Sequence, residues 1–172
     1  ILECIVEMRP LVIAAINGSA AGIGLSYALA CDLLIMANTA FLISPFTTIS
    51  LIPDGGLSWF LVHQLGYRRA LQLSIESARI PASRCVELGL ANKAVPADAL
   101  MQESLKWAEA LAKRAPLSIA ATKKLMRFAN ENSLARTYDM EAMVQQTLYE
   151  SDDHAEGVAA FLNKRKPRFR GK

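Results

Sequence analysis

LVIAAI-NGSAAGIG-LSYALA-CD-LLIMA, residues 11–37, decides how this chain folds. Leu11 to Ile16 is a short apolar run rich in branched side chains, bounded by Pro10 and by Asn17-Gly18. It reads as a buried strand. NGSAAGIG then sets Gly18, Gly22 and Gly24 ahead of LSYALA, a helix candidate. Leu33 to Ala37 returns as a second strand, and Asn38-Thr39 follows as a turn. Strand, glycine-rich turn, helix, strand is a βαβ unit, and it predicts an α/β fold.

Outward from this unit the charges are unevenly placed. From Pro10 to Pro53 the only charged side chain is Asp32, whereas Met101 to Lys172 carries 22. Leu11–Cys31 and Leu33–Pro53 are each 21 residues without a charge, long enough to cross a bilayer. The first is rich in Gly, Ser and Asn, the second is broken by Pro45, and no basic or aromatic belt flanks either. Parallel strands covered on both faces give the same continuous apolar pattern, so a buried core is expected and no membrane span. The 172 residues, 52% apolar and 20% charged, exclude a disordered chain and a disulfide-stapled miniprotein.

The net charge of +3 is set by the end of the chain. The last twelve residues, FLNKRKPRFRGK, hold six Lys or Arg and no acid, so all that precedes them sums to −3. No basic stripe with interleaved aromatics runs through the rest, which argues against a nucleic-acid partner. Cys4, Cys31 and Cys85 are scattered and lack CxxC spacing, so free thiols in a reducing compartment are expected. With only His63 and His154 besides, no metal site is expected.

After the βαβ unit, Pro45 and Pro53 divide FLISPFTTISLIPDGG into short extended pieces. Asp54 is well placed to cap the helix LSWFLVHQL, which Gly66 closes. Tyr67 to Ile75 reads as helix, Pro81-Ala82-Ser83 as the start of a short one ending at Gly89, and Lys93 to Val95 as extended. From Asp98 the pattern is helical, with Met101, Leu105, Ala108 and Leu111 on one face. Pro116 interrupts it, a run to about Asn130 follows, a third helix after Ser133 carries Met140, Val144 and Leu148 in register, and a last runs from Asp153 to about Lys164. The α/β part is assigned to residues 1–96 and the helical part to residues 97–172.

Two features of this layout could carry chemistry. Glycines after a strand permit a tight turn, and the free N–H groups of the next helix can hold a phosphate or the oxyanion that develops on a carbonyl. The spacing G-x3-G-x-G is neither the dinucleotide fingerprint nor a P-loop, and close helix–strand packing explains such glycines equally well. Asp54, ending a long uncharged run, could be a base raised in pKa by desolvation, or simply a helix cap. Ser26 lies beside the glycine turn with no His legible as its base. Phe46, Trp59 and Phe60 suit either a core or an acyl pocket.

Taken together, RPLVIAAINGSAAGIGLSYALACDLLIMANTAFLISPF, LIPDGG, ARIPASRCVELGLANKAVP and GVAAFLNKRKPRFRG resemble the enoyl-CoA hydratase/isomerase (crotonase) superfamily over nearly the whole chain. The resemblance implies a crotonase-like spiral of ββα turns followed by a helical C-terminal region that packs trimers or hexamers. It implies acyl-CoA substrates, with coenzyme A as part of the substrate and no permanently bound cofactor, in the cytoplasm or an organelle matrix. Ile23 N–H falls where one donor of the oxyanion hole belongs, and Ala20, Gly22, Gly24, Phe46 and Trp59 fall beside the substrate. Phe161 and Lys164 match residues that approach the adenine end of CoA, although a solvated terminus explains those charges too.

The departures from the pattern sharpen the expectation. Hydratases of this family hold a water between two glutamates, and here those positions read Ser26 and Phe46. Asp54 matches the single acid that some isomerases use to move a proton between two carbons. The resemblance therefore implies an enoyl-CoA isomerase with Asp54 as acid/base. A hydratase or another CoA-thioester isomerase or lyase of the same family is one alternative, and a non-catalytic acyl-CoA-binding or oligomeric scaffold is the other. The front part of the family's fold, with the second oxyanion donor, is not found in this sequence, so a fragment of a longer product is expected.

Overall fold

The computed structural model describes residues 1–172. Its contacts divide the chain into two compact units, residues 1–8 with 12–106 and residues 9–11 with 107–172.

In the first unit, helix α1 (Leu2–Glu7) precedes strand β1 (Ile13–Ile16), strand β2 (Ser19–Ala21), helix α2 (Ile23–Ala30), strand β3 (Leu33–Ala37) and strand β4 (Phe41–Ile43). β1 pairs parallel with β3, from Ile13 opposite Leu33 to Ile16 opposite Met36. β2 pairs parallel with β4, from Ser19 opposite Phe41 to Ala21 opposite Ile43. Each coil of chain thus gives one strand to each of two sheets. The βαβ unit is present as β1–α2–β3, with a correction at its turn. NGSAAGIG is not a bare turn, because Ser19–Ala21 lie as β2 and the helix begins at Ile23 rather than at Leu25. Three small residues carry no strand periodicity of their own; their pairing with β4 makes them a strand.

Asp32, the lone charge of the apolar stretch, is explained by the start of these strands. Its carboxylate accepts the Val12 N–H at 2.8 Å, while the Val12 carbonyl accepts from Asp32 and Leu33. The half-buried main-chain donors around it are thereby satisfied.

Beyond β4 the chain makes a 3-10 turn (Phe46–Ile49), helices α3 (Leu57–Leu65) and α4 (Tyr67–Glu76), strand β5 (Ile80–Pro81), helix α5 (Ala82–Glu87) and strand β6 (Lys93–Val95). The sheets run β1-β3-β6 and β2-β4-β5. Leu25, Ile35, Met36, Leu42, Leu57 and Leu61 are completely buried, and burying each such side chain contributes about 1.5–3 kcal/mol. Residues 25–46 of the charge-poor stretch supply much of this core, whereas β1 is half-buried and Ile49, Leu51 and Ile52 are exposed, and no helix is long and apolar enough to cross a membrane.

Helix α6 (Leu100–Ala112) departs from its expected facing. Leu100 and Ser104 are its buried residues, whereas Met101 and Leu105 are exposed. Periodicity identifies an amphipathic helix, but the neighbours within the chain decide which part of its apolar arc is covered.

The second unit holds helices α7 (Pro116–Glu131), α8 (Leu134–Tyr149) and α9 (Asp152–Leu162). Pro116 occupies the first turn of α7, where its missing N–H costs nothing, and the Ser133 and Ser151 side chains cap α8 and α9. The basic tail is fastened to α9. The buried Asp153 carboxylate accepts the N–H groups of Arg170 at 2.6 Å and Gly171 at 2.9 Å. Glu156 takes the Arg165 guanidinium with both oxygens, at 2.6 and 2.7 Å, and also accepts the Arg168 N–H. These bonds hold the Glu156 carboxyl down at about 2.

Candidate functional site

The first turn of α2 presents free donors. Gly22 precedes the helix at φ 53° and ψ −123°, a backbone that side chains rarely adopt. Its N–H donates to the Ile43 carbonyl at 3.2 Å, and its own carbonyl accepts from Leu25 and Ser26. The N–H groups of Ile23 and Gly24 find no acceptor in the chain, and they stand at the positive end of the helix. A β-carbon on Gly18 or Gly24 would meet nothing within 4 Å, so close packing does not explain those two glycines.

Asp54 does not cap α3. The residue before the helix is Gly56, and no side chain accepts a bond from the helix start. Gly55 at φ 59° and Gly56 at φ 76° are successive left-handed residues that turn the chain ahead of Leu57, leaving the Asp54 side chain outside capping position. Asp54 is exposed, so the dry surroundings expected for it are not supplied by this chain's own residues.

What fixes Asp54 is its backbone. Its carbonyl accepts the Leu57 N–H at 3.0 Å and the Ser26 hydroxyl at 2.9 Å. A β-carbon on Gly55 would fall 2.9 Å from Leu2 Cδ1 and 3.0 Å from Ser26 Cβ, closer than such atoms pack. The Asp54 loop therefore lies directly on the first turn of α2. The structure brings together Asp54, Ile23 and the glycine turn, and it adds Ser26 and Gly55, whose roles the sequence reading missed. The adjacency of Gly55 to Asp54 was a visible signal; the bond between Ser26 and Asp54 had none.

Phe46 is buried with its ring against the glycine turn, 3.6 Å from where a Gly22 β-carbon would be. The segment bearing it is clipped to the end of α4. The Ser77 hydroxyl donates to the Ser44 carbonyl at 2.9 Å, and Thr47 Oγ1 donates to the carbonyls of Ser74 and Ile75. Trp59 is partly exposed on α3, edge-on to Phe60 and stacked on His63 with centroids 4.0 Å apart. His63 Nδ1 lies 2.8 Å from the Trp59 carbonyl, so that nitrogen is engaged within its own helix. Ala20 is buried in β2 opposite Leu42.

Phe161 and Lys164 belong to the second unit. Phe161 is 82% exposed. Lys164 ends α9 in the left-handed conformation, φ 51°, its N–H donating to the Phe161 carbonyl and the Arg165 N–H to Ala160. That double bond is the Schellman ending, in which glycine is usual. The tail beyond, with Arg165, Lys166, Arg168 and Arg170, borders a cleft of about 830 Å³. No three His, Cys, Asp or Glu side chains gather as a metal site requires.

Residues 2–172 match a family model described as enoyl-CoA hydratase/isomerase. A probable enoyl-CoA hydratase of Rhodobacter capsulatus is 37% identical over 172 residues, all of this chain and 67% of that protein. The 1,2-epoxyphenylacetyl-CoA isomerase of Escherichia coli is 35% identical over 161 residues, 94% of this chain and 62% of its own length. The crystal structure of an enoyl-CoA hydratase from Polaromonas sp. JS666 superposes with a TM-score of 0.95 at 38% identity, over 98% of this chain and 66% of that one. The chain thus spans about two thirds of the length of the relatives it matches, and its α/β architecture is the crotonase fold.

Proposed function

The chain belongs to the enoyl-CoA hydratase/isomerase family, and from that premise we propose that it moves the double bond of an enoyl-CoA thioester, with Asp54 as the acid/base. One observation carries the reading. The loop bearing Asp54 is packed on the helix turn whose Ile23 N–H is free, while the neighbouring side chains Ser26 and Phe46 are neutral or apolar.

In this reading the Asp54 carboxylate removes a proton from C2 of a 3-enoyl thioester. The electron pair runs through the carbonyl to form an enolate, whose oxygen accepts from Ile23 N–H. Asp54 then returns the proton to C4, the double bond stands at C2–C3, and no water is consumed. A positioned acid/base contributes about 10²–10⁴-fold, and one oxyanion donor about 10²–10³-fold. Phe46 and Trp59 form apolar walls that keep water from adding to the product. Coenzyme A arrives as part of the substrate, no resident cofactor takes part, and the exposed Met101–Leu105 face of α6 suits assembly into trimers or hexamers.

Turnover of a 3-enoyl-CoA by the full-length protein tests the proposal. Asp54→Asn is expected to lower it ~10²-fold or more, and near wild-type turnover overturns the assignment. The name of the R. capsulatus relative favours a hydratase reading. Faster hydration of a 2-enoyl-CoA than isomerisation of the 3-enoyl isomer would establish that reading instead.

A further inference from the structure

We infer that Ser26 is a positioning residue, whose hydroxyl sets where the Asp54 carboxylate stands relative to the Ile23 N–H. The inference rests on the isomerase reading above. Ser26 is 0% exposed, and a buried hydroxyl requires a partner. A serine within a helix ordinarily bonds back to the carbonyl four residues earlier. Here that bond, to Gly22, has lengthened to 3.5 Å, while the bond to the Asp54 carbonyl is 2.9 Å. The hydroxyl's shorter bond goes to an acceptor 28 residues away rather than to its local one.

The consequence falls on the direction of the Asp54 side chain. The Asp54 carbonyl is held at once by Ser26 and by the Leu57 N–H, which fixes the plane of the peptide joining Asp54 to Gly55. Gly55, with no β-carbon, lets that peptide rest on Ile23 and Ser26. The exposed carboxylate makes no hydrogen bond of its own to α3. Its placement therefore depends on this backbone, and a displacement of about 1 Å at a reacting group can cost ~10²-fold in rate.

Removing the hydroxyl leaves the Asp54 carbonyl still paired with Leu57, so the fold is expected to persist while the carboxylate loosens. In the full-length protein, Ser26→Ala should lower kcat for the 3-enoyl-CoA about tenfold and leave KM within about twofold. In an Asp54→Asn background the same change should cost less than about twofold, because the group it positions is gone. Unchanged kcat in Ser26→Ala, or a loss repeated in full in the Asp54→Asn background, overturns the inference. Asp54→Asn with wild-type turnover overturns the isomerase reading on which it rests, and that result is separate. Should Ser26→Ala melt below the assay temperature, Ser26→Cys, with a weaker donor of similar size, is read by the same cycle.

Discussion

Gly55 approaches Ile23 so closely that a β-carbon on the glycine would stand 2.5 Å from Ile23 Cδ1. The left-handed backbone of Gly55, φ 59°, adds its own cost for any side chain. Gly55→Ala is expected to destabilise the protein by roughly 1–3 kcal/mol through strain and crowding together. Because the displaced peptide carries Asp54, kcat should fall as well. Urea unfolding and steady-state kinetics on the same variant check both; a fully active, equally stable Gly55→Ala would contradict the close packing of this loop.

The strap at the C-terminus predicts a pH dependence of stability. The Arg165 guanidinium and the Arg168 N–H hold Glu156 at about 2, below its usual 4.5. A carboxyl depressed by folding stabilises fully above its unfolded pKa, and that contribution is lost as pH falls through the folded value. The difference in unfolding free energy between wild type and Glu156→Gln should therefore be constant above about pH 5 and shrink from pH 4.5 toward pH 2. Denaturant titrations of the two proteins across that range provide the measurement.

Lys164 sits in a conformation that favours glycine. Lys164→Gly relieves about 1–2 kcal/mol of strain and adds about 0.4–1 kcal/mol of freedom to the unfolded chain. A small rise in melting temperature is expected. If the lysine approaches the adenine end of CoA, as the family resemblance implies, the same variant binds CoA more weakly and with a shallower salt dependence. Calorimetry at two salt concentrations separates the two effects.

The three cysteines are free but differ in reactivity. Cys4 is exposed, whereas burial pushes the Cys85 thiol up to about 11. The thiolate is the reactive species. Iodoacetamide at pH 8 should label Cys4 in the native protein and Cys85 only after denaturation, as read by peptide mass spectrometry.

The parts of this fold that could be read in advance are those whose signal is local. LLIMA is a continuous apolar run because β3 lies buried between β1 and β6, whereas LVIAAI, expected to be buried, forms the edge strand β1 and is half-buried along its length. Ser133 marked a helix start, and Pro116 marked the interruption after which the next helix runs. β2 was hidden because Ser-Ala-Ala acquires strand character only through β4. The capping reading of Asp54 failed because two consecutive positive-φ glycines redirect the chain, and a capping signature cannot register that. The apolar arc of α6 was visible, while its exposure depends on neighbours that periodicity does not name. At the candidate site, Ile23 and Asp54 were reachable through motif likeness. Ser26 was not, since its acceptor is a backbone oxygen and leaves no mark on composition or spacing.

The parallel pairing of β2 with β4 sets Ala21 opposite Ile43, and the Gly22 N–H bonds to Ile43 itself. The tips that follow the two strands are consequently stacked like adjacent rungs, the glycine turn on one and the Ser44–Phe46 segment on the next. Each rung can be rewritten by point mutation without disturbing the ladder beneath it, since the sheet bonds are made by main chain. Replacing Phe46 on one tip would change the side chain facing the Gly22 turn and leave the Ile23 N–H on the other tip where it is. Under the proposed reading, a scaffold wound in this way would let single substitutions alter the reaction while the donor turn that faces the substrate carbonyl stays in place.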